Sequence, residues 1–448
     1  MRIDELYLRE VGPFDELRFE FKPRVSEDLA DIAILTGPNG CGKSTLLYAI
    51  ASLFALGDER LVRPLLGRRC WSVKAMAAMR FGGWVVAGSP DRSTLVSNPF
   101  LSGASLGGFS QTTVGDAMNY YLPMPWHKHP LQGYADGLEH WQGLAAFRYS
   151  HAAFAYAGAR SMEPAPVTAI AEPTEPPLQG SLAFSSNGQS ERLAHWIALT
   201  DYKVAGALRD GDAAAAARYE RSQRAIERAV SKVAGEEIRF IVRRDPLAVV
   251  LRIGRREVDF DVLPDGLKSI LSWVADLLMR LERTPWVDDT PPLQRPFLLL
   301  LDEIDIHLHP TWQRRVLPLV QELFPRAQVI ASSHSPFVVT SVADAWIYQF
   351  AVTDGKATLR EVTCSKAGTS YMAALRSVFE VDQEFDEDTE RKLQELRELR
   401  NRVLKGESPV ETLRALAAEL QARGPEVAEI ASFELHQVER RLQAALPK

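Results

Sequence analysis

The segment GPNGCGKST, residues 37–45, carries the residue types that hold a chain of phosphates. Gly37, Gly42, Lys43 and Ser44 match the pattern GxxxxGK[ST], in which glycines let backbone amides turn inward around phosphate oxygens. The lysine of this pattern reaches the β- and γ-phosphates as a point charge, and the following hydroxyl is a ligand for Mg²⁺. The alternative is a glycine-rich turn with a chance lysine, but the segment lies between an apolar run and a helical pattern, as the phosphate-binding reading requires. We therefore predict a site for a nucleoside triphosphate and Mg²⁺. The expected binding residues are Asn39, Gly40, Cys41 (through its backbone), Gly42, Lys43, Ser44 and Thr45.

Two adjacent carboxylates follow an apolar run in PFLLLLDEIDIHLHP, residues 296–310. If the run is a buried parallel strand, Asp302 lies at its carboxyl end, where it can hold Mg²⁺ and its water shell together with Ser44. Glu303 would then point at the γ-phosphate and orient or deprotonate the attacking water. The alternative is a core strand that leaves into a polar turn, which does not explain why the two acids stand together. We predict Asp302 as a metal ligand and Glu303 as a catalytic residue.

A third polar group ends another apolar run, QVIASSHSP, residues 328–336. A single histidine at a strand end is usually structural. His334, however, follows Asp302 with a predicted helix between them, so the two strand ends would meet at one edge of a parallel sheet. We predict His334 as a catalytic residue that senses or polarises the γ-phosphate.

The pattern of apolar and polar residues predicts alternating strands and helices around these motifs. Residues 83–145 have poor periodicity, and the prolines of 161–188 indicate a surface loop. The predicted strands are two within 1–22, then 31–36, one or two within 144–162, three within 237–263, 297–301, 328–332 and a hairpin at 346–362. The predicted helices are one that follows the glycine loop, then 189–209, 212–234, 265–282, 312–323 and most of the chain after 370.

Composition excludes several classes of protein. The chain has 448 residues, a net charge of -6 and 46% hydrophobic residues, so nucleic acid could be bound only by a local basic patch. Its three cysteines, Cys41, Cys70 and Cys364, form no CxxC pair, which suits a reducing compartment. The first residues lack the apolar core of a signal peptide, and no run approaches the roughly 20 apolar residues that cross a bilayer. We expect a cytoplasmic protein without a membrane partner.

Together, GPNGCGKST, LPDGLKSILSWVADLL, LLLLDEIDIHLHP and ASSHSP resemble the ABC-type ATPases of the RecF, SMC and OLD group. Within that group they are most similar to compact AAA-type defence ATPases such as the PtuA component of Septu anti-phage systems. The resemblance implies an α/β P-loop NTPase fold: an ABC-type head with a mixed or antiparallel β lobe, inserted helices and an α-helical C-terminal domain. The implied domains are 1–56 and 237–365 for the two parts of the head, 57–236 for the inserted lobe and helical hairpin, and 366–448 for the C-terminal domain.

The same resemblance implies ATP as the nucleotide and a head-to-tail homodimer, or a higher homo-oligomer, with ATP sandwiched between subunits. In such ATPases the helix after an LSxG motif contacts the γ-phosphate held by the other subunit. Here Gly266 matches that motif, whereas Pro264 replaces its serine and Asp265 adds negative charge unless Lys268 or Ser269 offsets it. The alternative is that 263–282 is an amphipathic core helix.

Three further assignments stay open. Gln111 is a weak candidate for the glutamine loop of the family, and Arg160 could face the nucleotide or a partner, or be buried beside a salt bridge. His307 and His309 resemble a loop that communicates between the two sites of these families; a metal pair is the lesser alternative because no further ligands gather nearby.

The sequence leaves three hypotheses about function. The first is a Mg²⁺-dependent ATPase that serves as the sensor or regulatory subunit of an anti-phage system and controls a separate effector, such as a nuclease. The second is a RecF-like DNA repair ATPase in which basic segments track the phosphate backbone. The third is an ATP-locked oligomeric scaffold with little turnover. The chain has neither long heptad arms nor a convincing built-in nuclease pattern, and no signature of a membrane transporter.

Overall fold

A computed structural model describes residues 2–54, 75–81, 84–88, 148–158, 167, 169–173, 175–184 and 189–444. The chain divides into two compact units, residues 1–374 and 375–448. In these described ranges there are thirteen strands and ten helices. The strands are β1 Ile3–Val11, β2 Phe14–Glu20, β3 Asp31–Thr36, β4 Met76–Phe81, β5 Trp84–Gly88, β6 Ala153–Tyr156, β7 Ile238–Arg244, β8 Leu247–Ile253, β9 Arg256–Val258, β10 Leu298–Leu301, β11 Gln328–Ser332, β12 Trp346–Thr353 and β13 Lys356–Cys364. The helices are α1 Lys43–Phe54, α2 Gln189–Arg209, α3 Ala213–Ala234, α4 Asp265–Arg283, α5 Pro310–Leu323, α6 Pro336–Val339, α7 Tyr371–Ser377, α8 Glu387–Leu404, α9 Val410–Gln421 and α10 Pro425–Ala444.

The central sheet of the first unit has six strands in the order β13-β12-β3-β11-β10-β6. All are parallel except β13, which forms a hairpin with β12. Strands β3, β6, β10 and β11 are buried along their whole length, as the uninterrupted apolar runs of a sheet covered on both faces require. Their carboxyl ends therefore meet at one edge, which is the predicted P-loop NTPase arrangement. The chain has this fold, with the predicted hairpin at its edge.

A second, antiparallel sheet has the order β2-β1-β4-β5. It faces the central sheet through aromatic rings: Phe19 lies 4.6 Å from Tyr348 and 5.9 Å from Phe350, measured between ring centroids. The side-chain amide of Gln328 exchanges two hydrogen bonds with the backbone of Ile3, at 2.8 and 2.9 Å. These contacts hold the β1–β2 hairpin against the central sheet. Strands β4, β5 and β6, expected within the inserted lobe, thus complete both sheets.

Helices α2 and α3 form the predicted hairpin. Asp212 caps α3 by accepting a hydrogen bond from the amide of Ala215 at 2.8 Å, and Gly235 ends the helix with φ 82°. The helix packs on α2, α4 and α5. The three-stranded sheet β7-β8-β9 is also present, but the third predicted strand stops at Val258 and a short 3-10 helix, Phe260–Val262, follows. The residues of this 3-10 helix alternate in polarity like those of a strand, because Phe260 points into the core between two exposed residues. The ring centroid of Phe260 lies 6.4 Å from that of Phe240.

The predicted surface loop at 161–188 is partly wrong. Leu178, Leu182 and Phe184 are buried, and the carbonyl of Ser181 accepts a hydrogen bond from the amide of Ala155 in β6 at 2.7 Å. The segment can be buried because its carbonyl groups have a partner: Arg280 of α4 donates to the carbonyls of Pro177 and Gln179, both at 2.8 Å.

A buried ionic network joins this segment to α4 and β6. Asp276 accepts hydrogen bonds from Arg280 at 2.6 Å and from the Tyr156 hydroxyl at 2.9 Å, and Arg192 lies 3.7 Å away. The side chains of Asp276 and Arg280 are 2% and 7% exposed, so neither charge is compensated by water. Burial, followed by the charge of Asp276, raises the pKa of Tyr156 well above its ordinary value.

We expect Asp276→Ala to lower the free energy of unfolding by about 3–5 kcal/mol, because it leaves Arg280 buried without its counter-charge. Chemical denaturation monitored by circular dichroism measures the change. The exposed Asp261→Ala provides the control and should change stability by less than about 0.5 kcal/mol. Equal effects of the two variants would contradict a stabilising role of the network.

Glu282, near the end of α4, predicts a pH dependence of stability. Burial raises the pKa of its carboxyl from 4.5 to about 6, although Ser222, Lys203 and Arg221 act to lower it. At pH values between 4.5 and about 6 the folded state binds more protons than the unfolded state, so the stability of the folded state falls as the pH rises. Glu282→Gln should therefore raise the unfolding free energy by up to about 2 kcal/mol at pH 7 and by little at pH 4.5. The exposed Glu361→Gln is the matched control, and a pH-independent effect of Glu282→Gln would contradict the prediction.

The second unit is the predicted helical C-terminal region. Helices α8, α9 and α10 enclose a core of leucine, valine and alanine side chains that includes Leu396, Leu413, Leu420 and Val438. Asp386 caps α8 by accepting a hydrogen bond from the amide of Thr389 at 3.1 Å. Among all helices of the described chain, none combines the length and apolarity needed to span a bilayer.

Candidate functional site

One cavity of about 600 Å³ lies at the carboxyl edge of the central sheet. The three predicted motifs meet in it: the glycine loop, the two acids after β10 and the histidine after β11. The β1–β2 turn and the end of β6 complete its wall. The lining residues are Gly12, Pro13, Asn39, Gly40, Gly42, Lys43, Ser44, Thr45, Ala157, Gly158, Asp302, Glu303 and His334.

The loop between β3 and α1 needs its glycines for two reasons. Gly40 and Gly42 have φ angles of 80° and 89°, which side-chain-bearing residues rarely adopt. Gly42 is also crowded, because a Cβ there would lie 2.4 Å from the ring of Phe14. At Gly37 a Cβ would lie 2.4 Å from the carbonyl oxygen of Phe350. The loop therefore lies in close contact with the β1–β2 turn on one side and β12 on the other. The backbone of Gly40 and Gly42 lines the cavity.

Lys43 lies inside this loop and is only 6% exposed. Its ammonium group donates to the carbonyls of Gly37 and Pro38 at 2.9 and 3.0 Å, which holds the positive charge at the cavity floor. Cys41 is fully buried, with its sulfur 3.5 Å from Lys43 Nζ, and it is absent from the cavity lining. The buried Cys41 side chain is therefore directed away from the cavity, and the expected contribution of its backbone stays a prediction.

Ser44 and Asp302 form a pair of oxygen donors at the cavity wall. The Ser44 hydroxyl donates to Asp302 Oδ1 at 2.9 Å, across two elements that lie far apart in sequence. A hydroxyl and a carboxylate fit Mg²⁺, which takes few protein ligands and completes its octahedron with water and phosphate oxygens. Within the described ranges there is no cluster of three or more His, Cys, Asp or Glu that would suit a metal held by protein alone. The donor set fits the predicted ion.

Glu303 follows Asp302 directly and has a left-handed backbone, with φ 49°. Its amide donates to the hydroxyl of Ser332 at 2.7 Å, and the same hydroxyl donates to Asp302 Oδ1 at 2.6 Å. The side chain lines the cavity beside Gly158. Both predicted acids therefore stand where β10 opens into the site.

His334 also lines the cavity, and its amide donates to Asp305 Oδ1 at 3.3 Å. Partial burial and the positive charge of Lys43 lower the pKa of His334 below its ordinary value, although Asp305, Glu303 and Asp302 act to raise it. A lowered pKa favours the neutral imidazole at pH 7, which can either donate or accept a hydrogen bond.

The turn after Glu303 is tied to the histidine segment by a side chain that sequence reasoning missed. Gln313 of α5 donates to the carbonyls of Asp305 and Leu308 at 3.2 and 2.9 Å. It accepts a hydrogen bond from Ser335 at 2.5 Å, and Ser335 caps α6. A glutamine in a helix gives no sequence signal for this role, because its partners come from loops that only the fold brings together.

Gly266 lies outside the cavity lining. It is buried at the start of α4, where a Cβ would lie 2.7 Å from the carbonyl oxygen of His307 and 2.9 Å from the ring of Trp312. Close packing within the chain therefore accounts for glycine here. Its expected contact with ATP on a second subunit stays a proposal. Asp265 is exposed, and Lys268 Nζ lies 3.6 Å from its carboxylate.

His307 and His309 are both exposed in the turn before α5. His309 accepts a hydrogen bond from the amide of Thr311 at 3.3 Å, so it acts as a helix cap. Two other candidates, Gln111 and Arg160, lie outside the described residues.

The cavity also contains residues that the sequence did not predict, namely Gly12, Pro13, Ala157 and Gly158. The carbonyl of Pro13 accepts a hydrogen bond from Ala357 at 2.9 Å, which holds the turn beside the glycine loop. Ala157 and Gly158 follow β6, and β6 pairs with β10 so that Tyr156 stands level with Leu301.

Two family models match parts of the chain. Residues 171–340 match the model described as "AAA domain, putative AbiEii toxin, Type IV TA system", and residues 1–59 match a model described as "AAA domain". The two matches contain the P-loop, both acids and His334, so they cover the motifs that meet in the cavity.

Among curated proteins, the chain is similar to "Septu protein PtuA" of Bacillus thuringiensis, with 34% identity over 24% of this chain and 27% of the relative. It is also similar to "Retron Ec83 probable ATPase" of Escherichia coli, with 30% identity over 45% of this chain and 36% of the relative. The matched regions thus span about a quarter to a third of the relatives' own lengths.

A solved structure titled "Crystal structure of the SmcHead bound to the C-winged helix domain of ScpA" matches with a TM-score of 0.45 and 15% sequence identity. The match covers 81% of this chain and 98% of that one. The fold assignment of the present chain rests on its own strand order and glycine loop.

Proposed function

We propose that this chain binds ATP with Mg²⁺ and hydrolyses it. The observation that carries the proposal is the meeting of Lys43, the Ser44–Asp302 pair and Glu303 in one cavity, although they come from separate parts of the sequence. The loop amides and Lys43 would bind the phosphates, and the positive end of α1 would add to this attraction. Glu303 would orient the attacking water and accept its proton.

Mg²⁺ would be held by Ser44 and Asp302 and would supply charge neutralisation between the β- and γ-phosphates. The hydrogen bond from Ser332 keeps the Asp302 carboxylate turned toward Ser44. His334, held from its amide by Asp305, would offer its neutral ring to a γ-phosphate oxygen. The cavity lining already contains the side chains that are proposed to contact ATP, Mg²⁺ or the attacking water, namely Lys43, Ser44, Asp302, Glu303 and His334.

We further propose that two copies of the chain close around ATP. The cavity is open to solvent at His334 and at the exposed loop residues Asn39 and Gly40, so a second surface could cover the triphosphate there. The start of α4 is a suitable surface, since the exposed Asp265 stands in its first turn beside Lys268 and its backbone amides carry positive potential. Pro264 supplies no side-chain cap at this point.

The relatives support a role in anti-phage defence, in which the ATP-bound dimer controls a separate effector protein. ATP-dependent closing is a two-state element that a phage component or an effector could bias by binding one state better. The DNA repair alternative is less well supported. Arg239, Arg243 and Arg252 of the β7-β8-β9 sheet are each paired with glutamate carboxylates, which reduces the charge available to a phosphate backbone.

The proposal is tested in three assays, two with the purified chain and one in cells. Phosphate release should require both ATP and Mg²⁺, and sedimentation velocity should show a larger species with ATP than with ADP. Cells that carry the native locus should lose protection against phage when Lys43 is replaced. ATP-independent assembly with no phosphate release would favour the scaffold alternative, and salt-sensitive DNA binding that strengthens with ATP would favour repair.

A further inference from the structure

We propose that Ser332 and Gly158 are positioning residues that fix the pose of Glu303 for the activation of water. The inference deepens the proposed ATPase function and rests on it. Neither residue is among the predicted site residues, although Ser332 lies within the segment QVIASSHSP that contains the predicted His334. Strands β11 and β6 flank β10 on its two sides. Ser332 is the last residue of β11, and Gly158 lies just after the end of β6.

Ser332 holds the backbone of Glu303 from one side. Its hydroxyl accepts a hydrogen bond from the Glu303 amide at 2.7 Å, and its carbonyl accepts one from the Ile304 amide at 3.1 Å. The residue between these bonds has the left-handed φ of 49°, a conformation that a glutamate keeps only when its surroundings hold it. Ser332 is 1% exposed, so water does not compete for these bonds.

The same hydroxyl also fixes Asp302. It donates its proton to Asp302 Oδ1 at 2.6 Å, and this oxygen accepts the Ser44 hydroxyl as well, at 2.9 Å. One side chain therefore sets both acids: the orientation of the carboxylate proposed for Mg²⁺ and the backbone of the residue proposed to activate water. Partners of this kind around a metal carboxylate strongly affect metal affinity and activity.

Gly158 limits the space available to Glu303 on the opposite side, just after the end of β6. A Cβ at Gly158 would lie 2.6 Å from Glu303 Cβ, 2.9 Å from Glu303 Oε2 and 3.0 Å from Ile306 Cγ2. The first contact cannot be relieved by rotating the Glu303 side chain, because Cβ is fixed by the backbone. Gly158 itself is not among the residues with positive φ, so alanine is compatible with its backbone and the need for glycine is steric.

The pose matters for the chemical step. The Glu303 carboxylate accepts a proton from water as the water oxygen bonds to the γ-phosphorus, and the bond from that phosphorus to the β,γ-bridging oxygen breaks to release ADP. A misplacement of about 1 Å in such an arrangement can reduce the rate about 10²-fold. Binding of the phosphates is proposed to depend on the glycine loop and Lys43, and the Lys43 ammonium group is held by the carbonyls of Gly37 and Pro38 rather than by Ser332 or Gly158.

Gly158→Ala tests the steric half of the inference. We expect kcat for ATP to fall about 10²-fold, with the Kd for ATP within about twofold of the wild-type value. Gly206→Ala is the matched control, because a Cβ at Gly206 would contact nothing beyond its own helix backbone and chain neighbours within 4 Å, and it should leave kcat unchanged. In a Glu303→Gln background, Gly158→Ala should reduce the rate no further. A wild-type kcat, or a full additional loss in that background, would overturn the inference.

Ser332→Ala tests the hydrogen-bonding half. Both kcat and Mg²⁺ affinity should fall, with the Mg²⁺ concentration for half-maximal rate rising about tenfold, whereas Gly158→Ala should leave this concentration unchanged. Ser272→Ala is the control, since it removes an equally buried hydroxyl that donates to the carbonyl of Ser269 within α4. An unchanged Mg²⁺ requirement in folded Ser332→Ala would overturn the assignment of Ser332.

Crystal structures of the variants separate this inference from the proposed function. If the wild-type chain does not hydrolyse ATP, the proposed function fails, but the pose of Glu303 can still be read directly. We expect Glu303 to be displaced in Gly158→Ala and its backbone to leave the left-handed region in Ser332→Ala. An unmoved Glu303 in both variants would overturn the inference even with an active wild-type enzyme.

Discussion

Glu303→Gln is expected to lower kcat for ATP hydrolysis by about 10²- to 10⁴-fold while leaving the Kd for ATP within about threefold of the wild-type value. Glutamine keeps the size of the side chain and its place in the cavity but cannot accept the proton of the attacking water. Because binding is retained and cleavage is lost, ATP should accumulate on the protein. Steady-state phosphate release and isothermal titration calorimetry with Mg·ATP measure the two quantities.

The exposed Glu361→Gln is the matched control and should hydrolyse ATP at the wild-type rate. Glu303→Gln also distinguishes the proposed ATPase from the ATP-locked scaffold. If wild type and Glu303→Gln release phosphate equally slowly and assemble identically, then Glu303 has no catalytic role and nucleotide serves only to hold an oligomer together.

Lys43→Ala should weaken ATP binding by about 10²- to 10⁴-fold. The ammonium group would make charge-assisted hydrogen bonds to two phosphates, and each such bond contributes about 1.5–3 kcal/mol. Lys43 is 6% exposed, so no other side chain from solvent can readily replace it. Calorimetric titration with ATP measures the loss.

Lys232→Ala is the control, because this exposed lysine pairs with Glu322 at the surface and lies outside the cavity lining. Thermal unfolding without nucleotide shows whether the Lys43 variant keeps its fold after losing the hydrogen bonds to Gly37 and Pro38. Wild-type ATP affinity in a folded Lys43→Ala variant would contradict the phosphate-binding role of the loop.

The two variants should also differ in their assembly. Glu303→Gln retains ATP and should enrich the ATP-bound oligomer, whereas Lys43→Ala should behave like the nucleotide-free protein at any practical ATP concentration. This contrast follows from linkage, since ATP can favour an assembled state only in proportion to its tighter binding to that state.

The meeting of the candidate site residues in one cavity was largely predictable because the strongest sequence signals are local. Gly42, Lys43 and Ser44 adjoin one another, and Asp302 and Glu303 end an all-leucine strand that can only be buried. Parallel strands bring their carboxyl ends together, so the meeting of these groups with His334 followed from the strand assignments alone.

The missed residues depend on which strand lies beside which. Ser332 became important because β11 flanks β10 on one side, and Gly158 because β6 flanks it on the other. No periodicity encodes that neighbourhood. The proposed role of Gly158 depends on the absence of a side chain. Only the position of Glu303 in the structure shows that a Cβ at Gly158 would collide with it.

Burial of a proline-rich segment was the other failure. Residues 177–184 read as surface because prolines and polar residues usually remain in water. The structure buries most of them, because Arg280, itself buried with Asp276, donates to the carbonyls of Pro177 and Gln179. A charged residue in the middle of a helical pattern predicts solvent exposure unless its partner is known, and here the partner lies four residues away on the same helix.

The central claim, that the glycine loop and the two strand-end acids share one triphosphate, is tested most directly by a crystal structure with Mg²⁺ and a non-hydrolysable ATP analogue. We predict the triphosphate within the loop of Gly37 to Lys43, with Mg²⁺ bound by Ser44 and close to Asp302, and with Glu303 facing the γ-phosphate. A nucleotide bound elsewhere, or Mg²⁺ held without Ser44 and Asp302, would contradict the account.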